Sequence, residues 1–200
     1  MTGFGTYCHI NNHTVKVNGK TVFNKQENAE DDWARQIYKY LKIDYPKFYK
    51  MDALSKFTIL GTEALKANHP EINNYGDDEI ALIFSNCNSS ADADIQFQNS
   101  YVVDKAPSPS LFVYTLPNIL IGEVAIRNKW YGENLFFIRK EFDAAFFKSY
   151  CDILLAGNTK ACLCGWVESL NNETDVFLFF VEQTKTLPLS VETLNNLYKS

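Results

Sequence analysis

The run FSNCNSS, Phe84 to Ser90, gathers residue types from which nucleophiles are made: the hydroxyls of Ser85, Ser89 and Ser90 and the thiol of Cys87. A serine or cysteine at a strand end can attack an acyl carbon once a neighbouring base takes its proton. The G-x-S-x-G elbow is absent, however, and a loop after a buried strand is ordinarily polar, so the serines read as loop residues. Cys87 is the fairer nucleophile, although no histidine is set by motif to activate it. A second stretch, GENLFFIRKEFDAA from Gly132 to Ala145, runs an apolar strand straight into Arg139, Lys140, Glu141 and Asp143 at the opening of a helix. In α/β proteins, ligands and reactive groups gather at such strand ends.

The remaining chemistry-bearing residues carry weaker signals. The 5 cysteines form an odd set without a zinc-type double pair, which suits a reducing compartment. Cys162 and Cys164, in ACLCGWVES, share one face of a strand and read as buried thiols rather than a metal or redox pair, since no further ligands lie near them in sequence. His9, His13 and His69 read as surface or structural residues. Neither a metal nor a cofactor is expected.

The elements that would position these groups alternate between strand and helix. Thr6 to Ile10 and KTVF read as strands around a turn at Asn18-Gly19, and Trp33, Ile37, Tyr40 and Leu41 recur at helical spacing after an acidic start. Asp52 caps a second helix, ALSKFTILGTEALKA, with a wide apolar face. Glu79 to Asn86 reads as a buried central strand. Pro117 opens a helix from Asn118 to Asn128, buried along Leu120, Ile121, Val124 and Ala125. ENLFFI reads as another buried strand, DAAFFKSYCDILLAG as a helix, and ACLCGWVES and DVFLFFVEQ as strands joined by a hairpin. The pattern predicts an α/β domain with a mixed, mostly parallel sheet closed by an antiparallel end.

A chain of 200 residues can bury its own core as one unit over residues 1–200. Its formal net charge is -5, and no basic run marks a nucleic-acid or membrane surface. The N-terminus lacks the regions of a secretory signal and no apolar run reaches the length of a membrane span, so a cytoplasmic location is expected.

Taken in order, YKMDALSKFTILGTEALK, IALIFSNCNSSADADIQFQ, SPSLFVYTLPNILIGEVAIRNKWYGENLFFI and DAAFFKSYCDILLAGNTKACLCGWVES resemble the N-terminal half of a β-ketoacyl synthase. The resemblance runs over residues 48 to 183 and is nearest to short ketoacyl-synthase-like proteins of bacterial polyene or pigment lipid clusters. It implies one half of a thiolase-like fold: a five-stranded sheet with helices on both faces. Counted from Gly132 and Asn134, the family's nucleophilic cysteine falls at Glu141. A condensing cysteine works as a soft thiolate favoured at a helix N-terminus, and a carboxylate is a poor substitute, although an anion suits that position electrostatically. The family's two activating histidines belong to the other half, and His9, His13 and His69 do not match their motifs.

The resemblance therefore implies a non-catalytic subunit of fatty acid or polyketide-type biosynthesis, pairing with itself or with a ketoacyl synthase and meeting an acyl carrier protein. The alternative is a divergent acyl-thioester enzyme, a decarboxylase or acyltransferase, using Glu141 or Cys87 with a partner. Phe136, Phe142 and Phe146 are the candidates to line an acyl pocket. In the two-half fold the helix after residue 141 lies between two sheets, and Phe142, Ala145, Phe146, Tyr150, Ile153, Leu154 and Leu155 spread around it. Either a partner covers its outer side or the segment Leu187 to Tyr198 does.

Overall fold

A computed structural model describes residues 2–183 and 187–200. The chain opens with three strands, β1 (Thr2–Asn11), β2 (Thr14–Val17) and β3 (Lys20–Asn24), followed by helices α1 (Trp33–Tyr40) and α2 (Ala53–Asn68). Strand β4 (Ile80–Asn86) leads through α3 (Ala91–Val102), the short α4 (Pro109–Val113) and α5 (Ile119–Asn128) to β5 (Asn134–Ile138). Helix α6 (Ala144–Leu155), strands β6 (Ala161–Leu170), β7 (Glu173–Gln183) and β8 (Leu187–Pro188), and helix α7 (Val191–Lys199) complete it.

All the described strands join one 8-stranded sheet in the order β3-β2-β1-β7-β6-β4-β5, with β8 beside β1. The α/β class and the helices on both faces are as expected. The strand count and the balance of directions differ. Only β4 pairs in parallel, with β5 and with β6, while every other pairing is antiparallel. The reason lies at the N-terminus. Asn18 and Gly19, with φ of 49° and 76°, close a tight β2–β3 hairpin, and β1 returns to pair along β7. These hairpins add an antiparallel wing to a parallel centre.

Two apolar layers sit on opposite faces. On one, α2 and α5 pack with β1, β4, β6 and β7 around Leu60, Leu65, Val124, Phe84 and Leu178. Asp52 caps α2 as expected, its side chain accepting from the Ser55 amide. Thr58 and Thr62 return their hydroxyls to the carbonyls of Leu54 and Thr58, which satisfies these two on a helix buried almost all round, while the buried Ser55 hydroxyl has no hydrogen-bond partner among the described residues. At Gly61 a Cβ would stand 2.6 Å from Leu178 Cδ1, which is how closely α2 approaches β7. On the other face α6 and α7 cover Phe4, Cys162, Cys164, Phe177, Phe179 and Val181.

Helix α6 is not apolar all round. Ala144, Phe147 and Cys151 point to the sheet, whereas Ala145, Ser149 and Asp152 are exposed and Lys148 bridges Asp152 at 2.6 Å. Beside it, α7 buries Leu194 and rests Leu197 and Tyr198 on the same layer. The segment from Leu187 thus provides the cover for this face of the sheet, and Ile153, 65% exposed, is the apolar residue of α6 left most open.

Candidate functional site

Strands β4 and β5 run parallel with Asn86 opposite Ile138, so the two loops that carry candidate nucleophiles leave the same end of the sheet. The first is held rigidly. Asn86 exchanges hydrogen bonds with Ser89 through its side chain, Ser89 takes a left-handed conformation with φ 52°, and the Ser90 hydroxyl donates to the Thr115 carbonyl at 2.6 Å. Glu168, arriving on β6, accepts from the amides of Cys87 and Asn88 and from the Asn88 side chain at 2.9 Å. Cys87 itself is exposed, and Ser85 is fully buried with no partner for its hydroxyl. Ser85 is closed to substrates, and neither Cys87 nor Ser90 meets a histidine.

The second loop departs from the expected geometry. Strand β5 is an edge strand, not a buried one, because nothing pairs with it beyond β4 among the described residues. Glu141 does not stand at the first turn of α6. Asp143 takes the capping position, accepting from the Phe146 amide at 3.0 Å, and its second oxygen pairs with Arg139 at 2.5 Å. Those contacts, the Phe146 amide foremost, hold the Asp143 carboxyl below the usual range. Glu141 is left exposed in the turn ahead of the cap, without a hydrogen bond or ion pair among the described residues. It borders a cleft of about 390 Å³ lined by Arg139 to Ala145 and by Val191 and Asn195 of α7.

The three candidate pocket phenylalanines are not gathered. Phe136 faces the α2–α5 layer, while Phe142 and Phe146 lie on the α6–α7 side, so the sheet stands between them. Phe142 instead stacks on Tyr198 at 4.3 Å between ring centres and meets Phe177 edge-on at 5.6 Å. Tyr198 also stacks against His9, and both donate to one carboxylate: His9 Nε2 lies 2.7 Å from Asp175 Oδ1 and the Tyr198 hydroxyl 2.5 Å from Oδ2. Burial works to raise the Asp175 carboxyl, but its hydrogen bonds from His9 and Tyr198 outweigh it and hold the group below its ordinary value. The same motif recurs at the far end of β7, where Glu182 accepts from Tyr75 at 2.6 Å and lies 2.9 Å from His69. His13 in turn lies 3.8 Å from Glu27, so all three histidines have carboxylate neighbours that the sequence did not name, and none touches Glu141 or Cys87.

Cys162 and Cys164 are fully buried beneath α6, with the Cys151 sulfur 3.4 Å from that of Cys164. The Cys151 hydrogen bond and burial push the Cys162 thiol up, and burial does the same to Cys164, so these are neutral thiols of the core. Glu168 is the functional-looking carboxylate that sequence reasoning passed over, and Asp143, noted at the helix opening, was not given the cap. Asp143 carried a usable signal, an aspartate directly ahead of an apolar helical run. Glu168 carried a fainter one, a charge inside an apolar strand.

No family model matches the sequence, and no curated protein matches it. Solved structures do. A chain of the ketosynthase ApeO in complex with its chain length factor ApeC, from Xenorhabdus doucetiae, superposes with a TM-score of 0.61 at 12% identity, covering 98% of this chain and 90% of that one. The ishigamide ketosynthase/chain length factor gives 0.69 at 13% identity over 94% of this chain and 64% of that chain. A type II polyketide synthase assembly, AntDE:AntF, described as an acyl-carrier protein in complex with its ketosynthase bound to the hexaketide, gives 0.63 at 11% identity over 90% and 62%. This chain therefore spans somewhat less than two thirds of the latter two and nearly all of the first. These superpositions show the fold: the chain has a thiolase-like fold of the kind seen in ketosynthase structures.

Proposed function

We propose that this chain is a single ketosynthase N-terminal-like unit that serves as a partner subunit in fatty acid or polyketide-type biosynthesis and does not itself condense acyl groups. The observation that carries this reading is the state of position 141. A nucleophile there needs a lowered pKa or an adjacent base, and preferably the amides of a helix N-terminus. Glu141 has no contacting base, and Asp143 already occupies the helix cap. An acylated carboxylate would also be a mixed anhydride, and any malonyl carboxylate would meet Asp143 nearby. Similar solved structures come from assemblies of ketosynthase with chain length factor, which favours a pairing role. An acyl carrier protein is the further partner that this reading expects, by analogy with the complex of AntDE with AntF.

The reading is tested by incubating the protein with acyl and malonyl thioesters, alone and with a condensing enzyme, and measuring intact mass. No stoichiometric adduct at Glu141 is expected, and alkylating reagents should reach Cys87 in the folded protein before the other thiols. A thioester-derived adduct at Glu141 or Cys87, or malonyl turnover that disappears in Glu141→Ala, would replace this reading with that of a divergent acyl-thioester enzyme.

A further inference from the structure

Three of the cysteines meet at one point of the core. Cys162 and Cys164 lie two residues apart on β6, flanked by Ala81 and Ile83 of β4 and by Val181 and Phe179 of β7, and Cys151 comes down to them from α6. Side chains two residues apart on a strand stand about 6.8 Å from each other, beyond the about 3.5 to 4.5 Å between Cβ atoms that a disulfide needs, so Cys162 and Cys164 do not bond to one another. Cys151 is placed differently, with its sulfur 3.4 Å from that of Cys164. A disulfide is about 2.05 Å long, so this pair closes with a shift of about 1.4 Å, within reach of side-chain rotation and a small settling of α6.

While α6 is seated, the site is shut. All three cysteines are fully buried neutral thiols, and among the described residues none meets a histidine, lysine or arginine. The part that can open is the helix. Of its 12 residues only Ala144, Phe147 and Cys151 are buried, whereas β6 is held in the sheet between β4 and β7. Local opening of a lightly anchored element is the low-energy excursion of a native fold, and here it exposes Cys151 while Cys162 and Cys164 stay in place.

We propose that Cys151 and Cys164 form a two-electron thiol–disulfide couple, oxidised by a peroxide, that fastens α6 to β6. On the opened helix the Cys151 thiolate attacks one oxygen of hydrogen peroxide: the S–O bond forms, the O–O bond breaks, and hydroxide leaves as water with the proton that Cys151 released. When α6 settles back, Cys164 attacks the sulfenic sulfur: the S–S bond forms, the S–O bond breaks, and hydroxide leaves as water with the Cys164 proton. Two thiols and one peroxide give one disulfide and two waters, the sulfurs losing the two electrons that the peroxide gains. The helix behind the residue-141 turn can then no longer lift from the sheet.

This is independent of the partner-subunit reading, which acyl labelling decides. The test treats the full chain carrying Cys87→Ser, which silences the exposed thiol, with hydrogen peroxide under native conditions, then denatures it in an alkylating reagent for mass mapping. The chain should lose two hydrogens, show a Cys151–Cys164 crosslink and leave Cys8 and Cys162 to take the reagent, while Tm rises by about 5 °C or more and returns on reduction. Cys151→Ala and Cys164→Ala should each remove that crosslink, and Cys162→Ala should keep it. Ser149→Gly, at an exposed position of α6, should speed its formation about twofold by easing the opening. Thiols that stay reduced until urea unfolds the whole chain, a bond running to Cys162 with Cys164 present, over-oxidation of Cys151 without a bond, a bond that lowers Tm, or a rate indifferent to Ser149→Gly would each overturn the proposal.

Discussion

The two edges of the sheet are built on opposite principles. Strand β3 begins with the exposed Lys20, is followed at once by Lys25, and its pairing with β2 is broken by a register shift between Val15 and Lys16. Its one large apolar side chain, Phe23, is stacked between the rings of Trp33 and Tyr40, 5.8 and 4.5 Å away. Charge, irregularity and an overlying helix are the usual means of keeping an edge from recruiting another strand. Strand β5 has the overlying helix, with Phe137 against Phe146 and Tyr150 of α6, but neither the charge nor the irregularity. Its faces are covered by α5 and α6 residues, but its rim is regular, uncharged and bare. One edge is finished within the chain, and the other ends the sheet uncovered by any further strand among the described residues.

The difference can be probed by asking which property each edge controls. The largest expected effect is on β3. Phe23→Ala removes the ring that ties the hairpin to α1 and should cost about 2 kcal/mol in urea unfolding, with no change in association. Association that falls along with stability would mean that the two edges are not independent. Next comes the turn that fastens the exit of β5. Asp143→Ala removes the cap of α6 and the Arg139 pair, for about 1 kcal/mol at neutral pH.

That cost has a definite pH dependence. The folded Asp143 carboxyl titrates below its unfolded value, so its contribution is fully present above the unfolded value, near ~4, and is lost as pH falls through the depressed folded value. The stability gap between parent and variant should therefore close in acid, and a gap that widens there would contradict the assignment of Asp143 as an ionised cap. The smallest expected effect is on the stability of the chain carrying Ile138→Lys, within about 0.5 kcal/mol of the parent, because this side chain lies half in solvent. A larger loss would show that β5 is buried within the chain's own fold.

Local signals carried much of this architecture. Asp52 as a cap, the fully buried run Ile80 to Asn86, and the β6–β7 hairpin at Asn171 and Asn172 could be read from short windows, since capping, burial and turns depend on neighbouring residues. What could not be read were relations between distant segments. An apolar pentapeptide is the same string whether a strand lies on one side of it or on both, so NLFFI looked central. The split of Phe136 from Phe142 follows from strand alternation, but only once the faces are known. The cap went to Asp143 rather than Glu141 because the helix starts at Ala144, and element boundaries are the least determined feature of a sequence. The carboxylate partners of His9 and His69 are brought in by β7, more than a hundred residues away in each case.

The pairing of β1 with β7 has a consequence for how the chain comes to be folded. Tyr7 lies against Phe179 and Ile10 against Val176, so the first strand finds its central neighbour only after most of the polypeptide exists. Until then the β1–β3 hairpins can close locally but must hold Cys8 and Ile10 without their core. Closing so long a loop is entropically costly, which favours forming this junction after the local hairpins and after the main barrier. Substitutions along β1 should accordingly leave early compaction untouched and speed unfolding, which makes the seam between the antiparallel wing and the parallel centre the place where the native state is first undone.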